Sequence, residues 1–206
     1  MKILRATASD PASLFLQIAD IHIQEIQHAA LPLLGRRFIA SMYRGIATAP
    51  GGSVWVALEN GTPVGFVAGS SDTKRTYRSA ILRRGAAMFL FACFGILRRP
   101  SVIKKLLPLF RYIGGGQPAV QSGPRAELLA IAVSSMIHHR GVGRGLVTEL
   151  ESELCRLQVH EYFVIADTQE VVSNQFYRGL GFEAVATYPL HQLVVQEYRR
   201  TIAPAA

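Results

Sequence analysis

The chain has 206 residues, half of them hydrophobic, and a formal net charge of +8. This length predicts one substantial core, and the apolar content argues against a disordered chain. No apolar run reaches the length of a membrane span, and the first residues lack the charged and apolar regions of a signal peptide. We therefore expect a cytoplasmic protein with a single domain over residues 1–206.

The first third of the chain predicts a strand, two helices and a hairpin. The strand-like sequence MKILRATA comes first. Asp10 and Pro11 then suit a helix start, as a cap and a first-turn proline, and apolar residues at helical spacing extend this helix to about residue 29. A shorter helix, RRFIASMYRGIAT, is predicted after Gly35. The β-rich runs of SVWVALENGTPVGFVAGS flank Asn60-Gly61, a strong hairpin signal.

The last third predicts alternating strands and helices. AELLAIAV has the composition of a buried strand, and the glycine-rich HHRGVGRG leads from it into a helix that reaches about Gln158. EYFVIAD predicts another strand, and SNQFYRGL a short helix that ends at Gly181. FEAVATY and LHQLVVQEYRR predict two closing strands around Pro189.

Basic residues are concentrated in the middle of the chain, since residues 73–126 contain eleven Lys or Arg and no Asp or Glu. Within it, SAILRRGAAMFLFACFGILRRPSVIKKLLPLFRYI predicts two short helices broken near Pro100, as part of an insertion at about 73–125. Residues 79–113 have three interpretations. They form a helix in a membrane interface, a wall whose arginines meet an anionic acceptor, or a helical segment packed on the core or on a second subunit of a homodimer.

Two further classes of ligand are not favoured. Charge alone permits nucleic-acid binding, but no nucleic-acid motif accompanies the basic residues, so nucleic acid is an unlikely partner. The adjacent His138 and His139 point in different directions and have no third ligand at a usable spacing, so no metal site is predicted. Cys93 and Cys155 lack zinc-site spacing, and we interpret both as reduced, buried small residues.

The glycine stretch Arg140-x-x-Gly143-x-Gly145 predicts an anion site. A strand that runs directly into a glycine-rich turn and a helix presents the unpartnered N–H groups of the helix start, where the helix dipole is positive. Glycine removes the Cβ that would block the approach of a ligand. The spacing fits neither the nucleoside-triphosphate loop GxxxxGK[ST] nor the dinucleotide loop GxGxxG.

ELLAIAVSSMIHHRGVGRGLVTEL, together with NQFYRGLGF about thirty residues later, resembles the acetyl-CoA-binding segments of the GNAT superfamily of N-acetyltransferases. The resemblance covers roughly residues 1–72 and 124–200. It implies an α/β (α+β) GNAT fold with a mixed, mostly antiparallel central sheet flanked by helices, into which the basic and apolar helical segment is inserted. It also implies acetyl-CoA as co-substrate, with no metal.

The resemblance implies roles for the backbone around the glycines. Amides of the turn would cradle the pyrophosphate, and a backbone N–H near a bulge of the preceding strand would polarise the thioester carbonyl. Arg140 adds charge at the phosphates or is simply a solvated arginine. The implied cofactor-binding residues are Ala132, Val133, Arg140, Gly141, Val142, Gly143, Arg144, Gly145 and Asn174.

Two side chains match catalytic positions of the superfamily. Tyr177 corresponds to the tyrosine that protonates the coenzyme A thiolate, although it could also simply pack against its neighbours. Glu127 resembles the general base of some members, with a strand-end acid paired to Arg125 or another basic residue as the alternative. Asn174 either contacts the cofactor or caps a helix.

His22 and His28 lie on the first predicted helix, near the region that lines the acceptor cleft in the superfamily. We interpret both as ordinary surface or packed histidines, with a substrate role as the alternative.

These inferences predict an acetyl-CoA-dependent N-acetyltransferase that acts on a primary amine of a small molecule, such as an amino sugar, by direct attack on the thioester. The competing hypothesis is a non-catalytic module that binds acyl-CoA or docks on a membrane or a partner. A degenerate copy would have lost the glycines or Tyr177, and this chain has both. The enzyme is therefore the favoured hypothesis.

Overall fold

A computed structural model describes residues 1–26, 31–98, 123–137, 141–190 and 193–202. Within these ranges the chain forms seven strands and five α-helices. In chain order they are β1 Lys2–Arg5, α1 Ala12–Glu25, α2 Arg36–Thr48, β2 Gly52–Glu59, β3 Thr62–Ser70, α3 Thr73–Arg98, β4 Ala126–Val133, α4 Val142–Arg156, β5 Glu161–Asp167, α5 Val171–Gly179, β6 Glu183–Leu190 and β7 Leu193–Thr201.

The strands form one sheet in the order β1-β2-β3-β4-β5-β7-β6. Every neighbouring pair is antiparallel except β4 and β5, which run parallel. These two strands pair only at Ala126 with Tyr162 and at Glu127 with Phe163, near their N-terminal ends. The predicted mixed, mostly antiparallel sheet is confirmed, and a gap opens between β4 and β5 beyond their short ladder.

Helices cover both faces of the sheet. On one face, α1, α2 and part of α3 bury a cluster that includes Phe15, Ile39 and Phe66. On the other, α4 and α5 bury a second cluster that includes Leu146 and Tyr162. Because side chains alternate along a strand, the central strands contribute to both clusters. The gap between β4 and β5 therefore opens between two well-packed layers.

Several turns and helix ends form where the local sequence predicts them. Asn60 and Gly61 both have positive φ, 51° and 81°, as the tight hairpin between β2 and β3 requires. Helix α2 begins directly after Gly35, and Gly181 ends the α5 segment with a φ of 86°. The predicted strands around Pro189 are confirmed, with Pro189 itself inside β6 at the edge of the sheet.

The start and end of α1 differ from the prediction. Asp10 does not cap the helix, because its carboxylate accepts hydrogen bonds from the backbone N–H and the hydroxyl of Thr7. Pro11 occupies the cap position without a side-chain hydrogen bond. The helix ends at Glu25, one turn before the predicted end, where the Ile26 backbone leaves helical geometry.

The first part of the insertion is one long helix. Helix α3 runs from Thr73 to Arg98, beyond the short helix predicted there, while Pro100 and the predicted second helix lie outside the described residues. Asp72 caps α3 by accepting the Arg75 N–H at 3.0 Å. Within the described ranges, no helix combines the length and apolarity that a membrane span needs.

The prediction that both cysteines are buried is wrong for Cys93, which is exposed, and Cys155 is half-buried. Cys93 lies on α3 on the side that faces away from the sheet. Cys155 packs at the margin of the cluster under α4. Neither residue forms a disulfide.

Candidate active site

The β4 edge of the gap presents backbone N–H groups. Ser134 donates its N–H to the Val64 carbonyl of the β3 segment at 2.8 Å. Because hydrogen-bonding directions alternate along an antiparallel pair, the Ala132 N–H also faces β3, and the N–H groups of Ile131 and Val133 face the gap. Of the two predicted polarising residues, Val133 is thus at the gap, whereas Ala132 is directed away from it.

The bulge in β4 lies earlier than predicted. The register with β3 shifts between Ala68, which pairs with Ala130, and Gly69, which pairs with Leu128. Leu129 is therefore the extra residue of the bulge. Bulges increase the local twist of a strand, and this one lies at the start of the part of β4 that has no partner in β5.

The predicted anion site corresponds to the start of α4, where the structure corrects the role of one residue. Gly141 precedes the helix in a left-handed conformation, with a φ of 75°, and open space surrounds the position of a Cβ there. The N–H groups of Val142, Gly143 and Arg144 belong to the first turn and have no partner inside the helix. Gly145, also predicted to bind the cofactor, instead donates its N–H to the Gly141 carbonyl at 3.0 Å.

The other glycines of the motif serve the packing of α4. A Cβ on Gly143 would come within 3.0 Å of the Phe176 ring of α5, and one on Gly145 within 3.0 Å of Ile3 in β1. The guanidinium of Arg144 donates to the carbonyl of Gly179 at 3.2 Å. The motif therefore also holds the start of α4 against α5 and β1.

His28, Arg140 and the pair His138 and His139 lie outside the described residues. The predicted phosphate contact of Arg140 thus stays a prediction. Among the residues that the structure does describe, no cluster of three His, Cys, Asp or Glu side chains is arranged to hold a metal ion.

Tyr177 lies on α5 with only 6% of its surface exposed. Its ring packs against those of Phe176, Phe182 and Tyr198, with centroid separations of 5.5, 5.5 and 5.8 Å. Burial raises the pKa of Tyr177 well above its ordinary value. The hydroxyl therefore stays protonated at neutral pH, as a hydrogen-bond donor or general acid must.

Asn174 fastens α5 to its surroundings. Its amide nitrogen donates to the carbonyls of Asp167 and Glu170, at 2.7 and 2.8 Å, and its amide oxygen accepts from the Tyr198 hydroxyl at 2.7 Å. It is not the helix cap, since Glu170 occupies that position. These contacts use both hydrogens of the Asn174 amide group. They hold the helix that carries Tyr177 in position. A contact between Asn174 and the cofactor stays a prediction.

Glu127 is buried on β4, with 6% of its surface exposed. The hydroxyl of Thr73, the first residue of α3, donates to its carboxylate at 2.8 Å. Arg125 does not pair with Glu127. Its guanidinium is exposed and lies 4.0 Å from the carboxylate of Asp72. The start of the insertion therefore positions the predicted base.

More polar groups share this face of the sheet. The charge of Glu127 adds to the effect of burial in raising the pKa of Tyr77 on α3. Tyr188 of β6 donates to the carboxylate of Glu197 at 3.3 Å, and burial, followed by the charge of Glu197, raises the pKa of Tyr188 to about 12. Glu197 is itself buried and ion-paired with Arg199 at 2.9 Å.

Sequence reasoning missed these residues. Glu127 pairs with Phe163 of β5, which pairs with Arg199 of β7, so the three side chains point to one face, and Glu197 is two residues from Arg199 on that face. The alternation in LVVQEYRR places Glu197 and Arg199 together and opposite to Tyr198. Their nearness to Glu127 depends on β5 and β7 pairing, which the local pattern does not contain. We call Thr73, Tyr77, Glu127, Tyr188, Glu197 and Arg199 the acceptor-side cluster.

Comparison with solved structures finds the same fold. The chain is similar to an aminoglycoside 6'-acetyltransferase type Ii (16% identity, TM-score 0.63, 100% of both chains covered). It is also similar to an aminoglycoside 6'-N-acetyltransferase complexed with coenzyme A (14%, 0.58, 100% of this chain and 99% of the other). A third is the ribosomal-protein-S18-alanine N-acetyltransferase from Escherichia coli (13%, 0.56, 100% and 97%). At such identities the likeness concerns the fold.

A search of curated protein sequences finds no significant match. The model of the acetyltransferase (GNAT) family matches residues 18–182, which is most of the chain and spans β4, the glycine motif and Tyr177. The chain therefore belongs to the GNAT acetyltransferase family.

Proposed function

We propose that the protein is an N-acetyltransferase that moves the acetyl group of acetyl-CoA directly to a primary amine of a small molecule. Membership of the family makes it an acyltransferase with acetyl-CoA as donor. One observation carries the proposal: the gap between β4 and β5 lies between a helix start whose first amides have no partner within the helix and a buried carboxylate, Glu127, on the opposite face of the sheet.

The residues present fit the donor. The first-turn N–H groups of Val142, Gly143 and Arg144 suit an anionic pyrophosphate, and the open space at Gly141 admits it.

Ile131 and Val133 both direct their N–H groups to the gap. In place of the predicted Val133 we propose Ile131, which lies nearer the bulge at Leu129, as the donor to the thioester oxygen, where negative charge develops during transfer. The donor supplies an acetyl group activated as a thioester.

Side chains on either side of the acetyl group would carry out the two proton transfers of the reaction. The amine nitrogen attacks the acetyl carbon and gives a proton to the Glu127 carboxylate as the new C–N bond forms. The C–S bond breaks, and the Tyr177 hydroxyl donates its hydrogen to the departing sulfur. Thr73 is a positioning residue, because its hydroxyl fixes the orientation of the Glu127 carboxylate.

Charge in the acceptor-side cluster supports an amine acceptor. Glu127 and Glu197 are both buried on this face, and carboxylates attract a cationic amine. Within this class we propose an amino sugar. Two of the similar structures are named as aminoglycoside acetyltransferases, which concerns those proteins and supports the choice only by analogy of fold.

One finer proposal concerns assembly. We retain a homodimer as a prediction for light scattering, without assigning its interface to the outer part of the insertion. The non-catalytic alternative is disfavoured, because the helix start at Gly141, Tyr177 and the buried Glu127 with its Thr73 partner are all in place.

Calorimetric titration with acetyl-CoA tests the donor site. A Gly143→Glu variant is unsuitable, because any side chain there meets Phe176. Arg144→Glu places an exposed negative charge in the first turn of α4, where it favours the helix but repels a pyrophosphate. Arg37→Glu makes the same change at an exposed position in the first turn of α2 and is the matched control.

We expect the parent and Arg37→Glu to bind acetyl-CoA alike, and Arg144→Glu to bind at least about tenfold more weakly, a loss of roughly 1.4 kcal/mol. Absence of binding by the parent, or equal binding by Arg144→Glu, would contradict the proposed donor site.

A further inference from the structure

Helix α3 has an outer face that points to solvent from Arg75 to Cys93. We define the outer face as Arg75, Arg78, Leu82, Ala86, Phe89 and Cys93, which recur every three or four residues and are all exposed. Leu82 is 78% exposed and Phe89 69%, and Leu90 beside them is 66% exposed. Large apolar side chains with this exposure, aligned on one helix, form a surface that would gain from leaving water.

Packing of the inner face of α3 against the core explains only some of the apolar residues of this helix. Residues 85–93 contain no charged or polar side chain other than the Cys93 thiol. Ala92 is buried, and Met88 and Phe91 pack against the cluster under α1 and α2. Since an ordinary surface helix is polar on its outer side, the apolar residues of the outer face need a different explanation.

The charge on this helix has one sign. Lys74, Arg75 and Arg78 are exposed in its first two turns, and the sequence has no acidic residue from 73 to 126. Arg83, in contrast, is held by the protein, because it donates to the Thr48 carbonyl at 2.7 Å. The outer face thus begins with cations and continues with apolar side chains.

We propose that the outer face of α3 docks on an anionic lipid surface. Leu82, Phe89 and Leu90 enter the boundary between headgroups and acyl chains, and Arg75 and Arg78 meet lipid phosphates. The helix lies in the plane of the interface, consistent with the finding that none of the described helices can span a membrane. A nucleic-acid backbone would meet the arginines but would give the exposed apolar side chains no partner.

Co-sedimentation with vesicles tests this docking. One set of vesicles contains phosphatidylcholine alone, and the other contains phosphatidylcholine with an equal part of phosphatidylglycerol. We expect the protein to bind the anionic vesicles and to release from them as salt rises. Leu82→Gln/Phe89→Gln should lower the partition coefficient about tenfold or more. Arg75→Gln/Arg78→Gln should lower it about fivefold per charge, on the anionic vesicles only.

The control is Val172→Gln/Val185→Gln, which removes two other exposed apolar side chains, 72% and 45% exposed, outside α3. It should bind vesicles as the parent does, and circular dichroism would verify that every variant is folded. Absence of binding to anionic vesicles, or equal binding by Leu82→Gln/Phe89→Gln, would overturn the proposal. If the protein binds neither kind of vesicle, binding to a DNA duplex would also overturn the proposal. So would a dimer that dissociates in the Leu82→Gln/Phe89→Gln variant.

Discussion

The two sides of the gap between β4 and β5 are built from different parts of the chain. The donor side consists of backbone, namely the N–H edge of β4 and the first turn of α4, and its side chains mainly pack. The proposed acceptor side consists of side chains from α3, β4, β6 and β7, most of them titratable, of which Glu127 and Glu197 are buried. A site of backbone amides requires few particular residues, so one short motif can specify it. A site of side chains depends on how distant strands and helices meet.

This comparison predicts that the pH dependence of folding stability arises mainly on the side of the sheet that carries α1, α2 and the acceptor-side cluster. His22 is buried there, 2.6 Å from the Tyr43 hydroxyl, and burial lowers its pKa to about 4. The unfolded chain therefore takes up a proton below pH 6.5 that the folded chain does not, and stability falls as the pH drops from 6.5 towards 4. This linkage amounts to about 3 kcal/mol at pH 4.

Urea unfolding at neutral pH and at pH 4 measures the effect. In His22→Gln the loss of stability between the two pH values should be smaller than in the parent by about that 3 kcal/mol. His160→Gln, at an exposed position, should keep the parent's dependence. An unchanged pH dependence in His22→Gln would contradict the assignment.

Removal of the Tyr177 hydroxyl tests the one donor-side role given to a side chain. Tyr177→Phe should lower kcat about a hundredfold, because the departing sulfur loses its hydrogen donor, while acetyl-CoA binding changes little. Tyr162→Phe removes a buried hydroxyl that donates to Glu151 at 2.6 Å on the same side of the sheet. Its kcat should be near that of the parent, so a similar fall in both variants would indicate a packing effect.

A third prediction separates the packing role of the motif glycines from their ligand role. Gly143→Ala places a Cβ within 3.0 Å of the Phe176 ring and should destabilise the protein by about 1 to 3 kcal/mol. Phe176→Leu in the same chain should recover part of that loss, as denaturant unfolding would detect. If Gly143→Ala is as stable as the parent, the close approach of α4 to α5 is not what requires glycine.

The smallest predicted effect lies at Thr73. Thr73→Val removes the hydroxyl that orients the Glu127 carboxylate, so kcat should fall about fivefold while acetyl-CoA binding is unchanged. Thr73→Ser keeps the hydroxyl and should restore the parent's kcat. An equal fall in both variants would show that Thr73 acts only through packing.

Most of the fold could be predicted from the sequence because the signals that determine it are local. The Asn60-Gly61 turn, the glycine before α2 and the one after α5 each act through the backbone of their own residues. The motif also places the proposed donor site at the start of α4, where the structure has a helix that begins directly after a left-handed glycine. It did not reveal that the Gly145 N–H is used within the helix, or that Asn174 fastens α5 through Asp167 and Tyr198.

The acceptor side could not be predicted in the same way. Glu127 was predicted because it resembles the general base of some family members, but its Thr73 partner is 54 residues away in sequence. Glu197 and Tyr188 come near it only through the register of β5, β6 and β7. Nor does composition reveal which face of α3 stays exposed, because apolar residues line both faces.

The most direct test of the account is acetyl-CoA turnover with a panel of primary amines, amino sugars among them, measured as thiol release together with acetyl-CoA binding for the parent and Glu127→Gln. We predict amine-dependent thiol release by the parent, a fall of about a hundredfold to ten-thousandfold in kcat/KM for Glu127→Gln, and equal acetyl-CoA binding by both. Equal turnover by Glu127→Gln, or thiol release by the parent that no amine increases, would contradict the assignment of Glu127 as the base that accepts the amine proton.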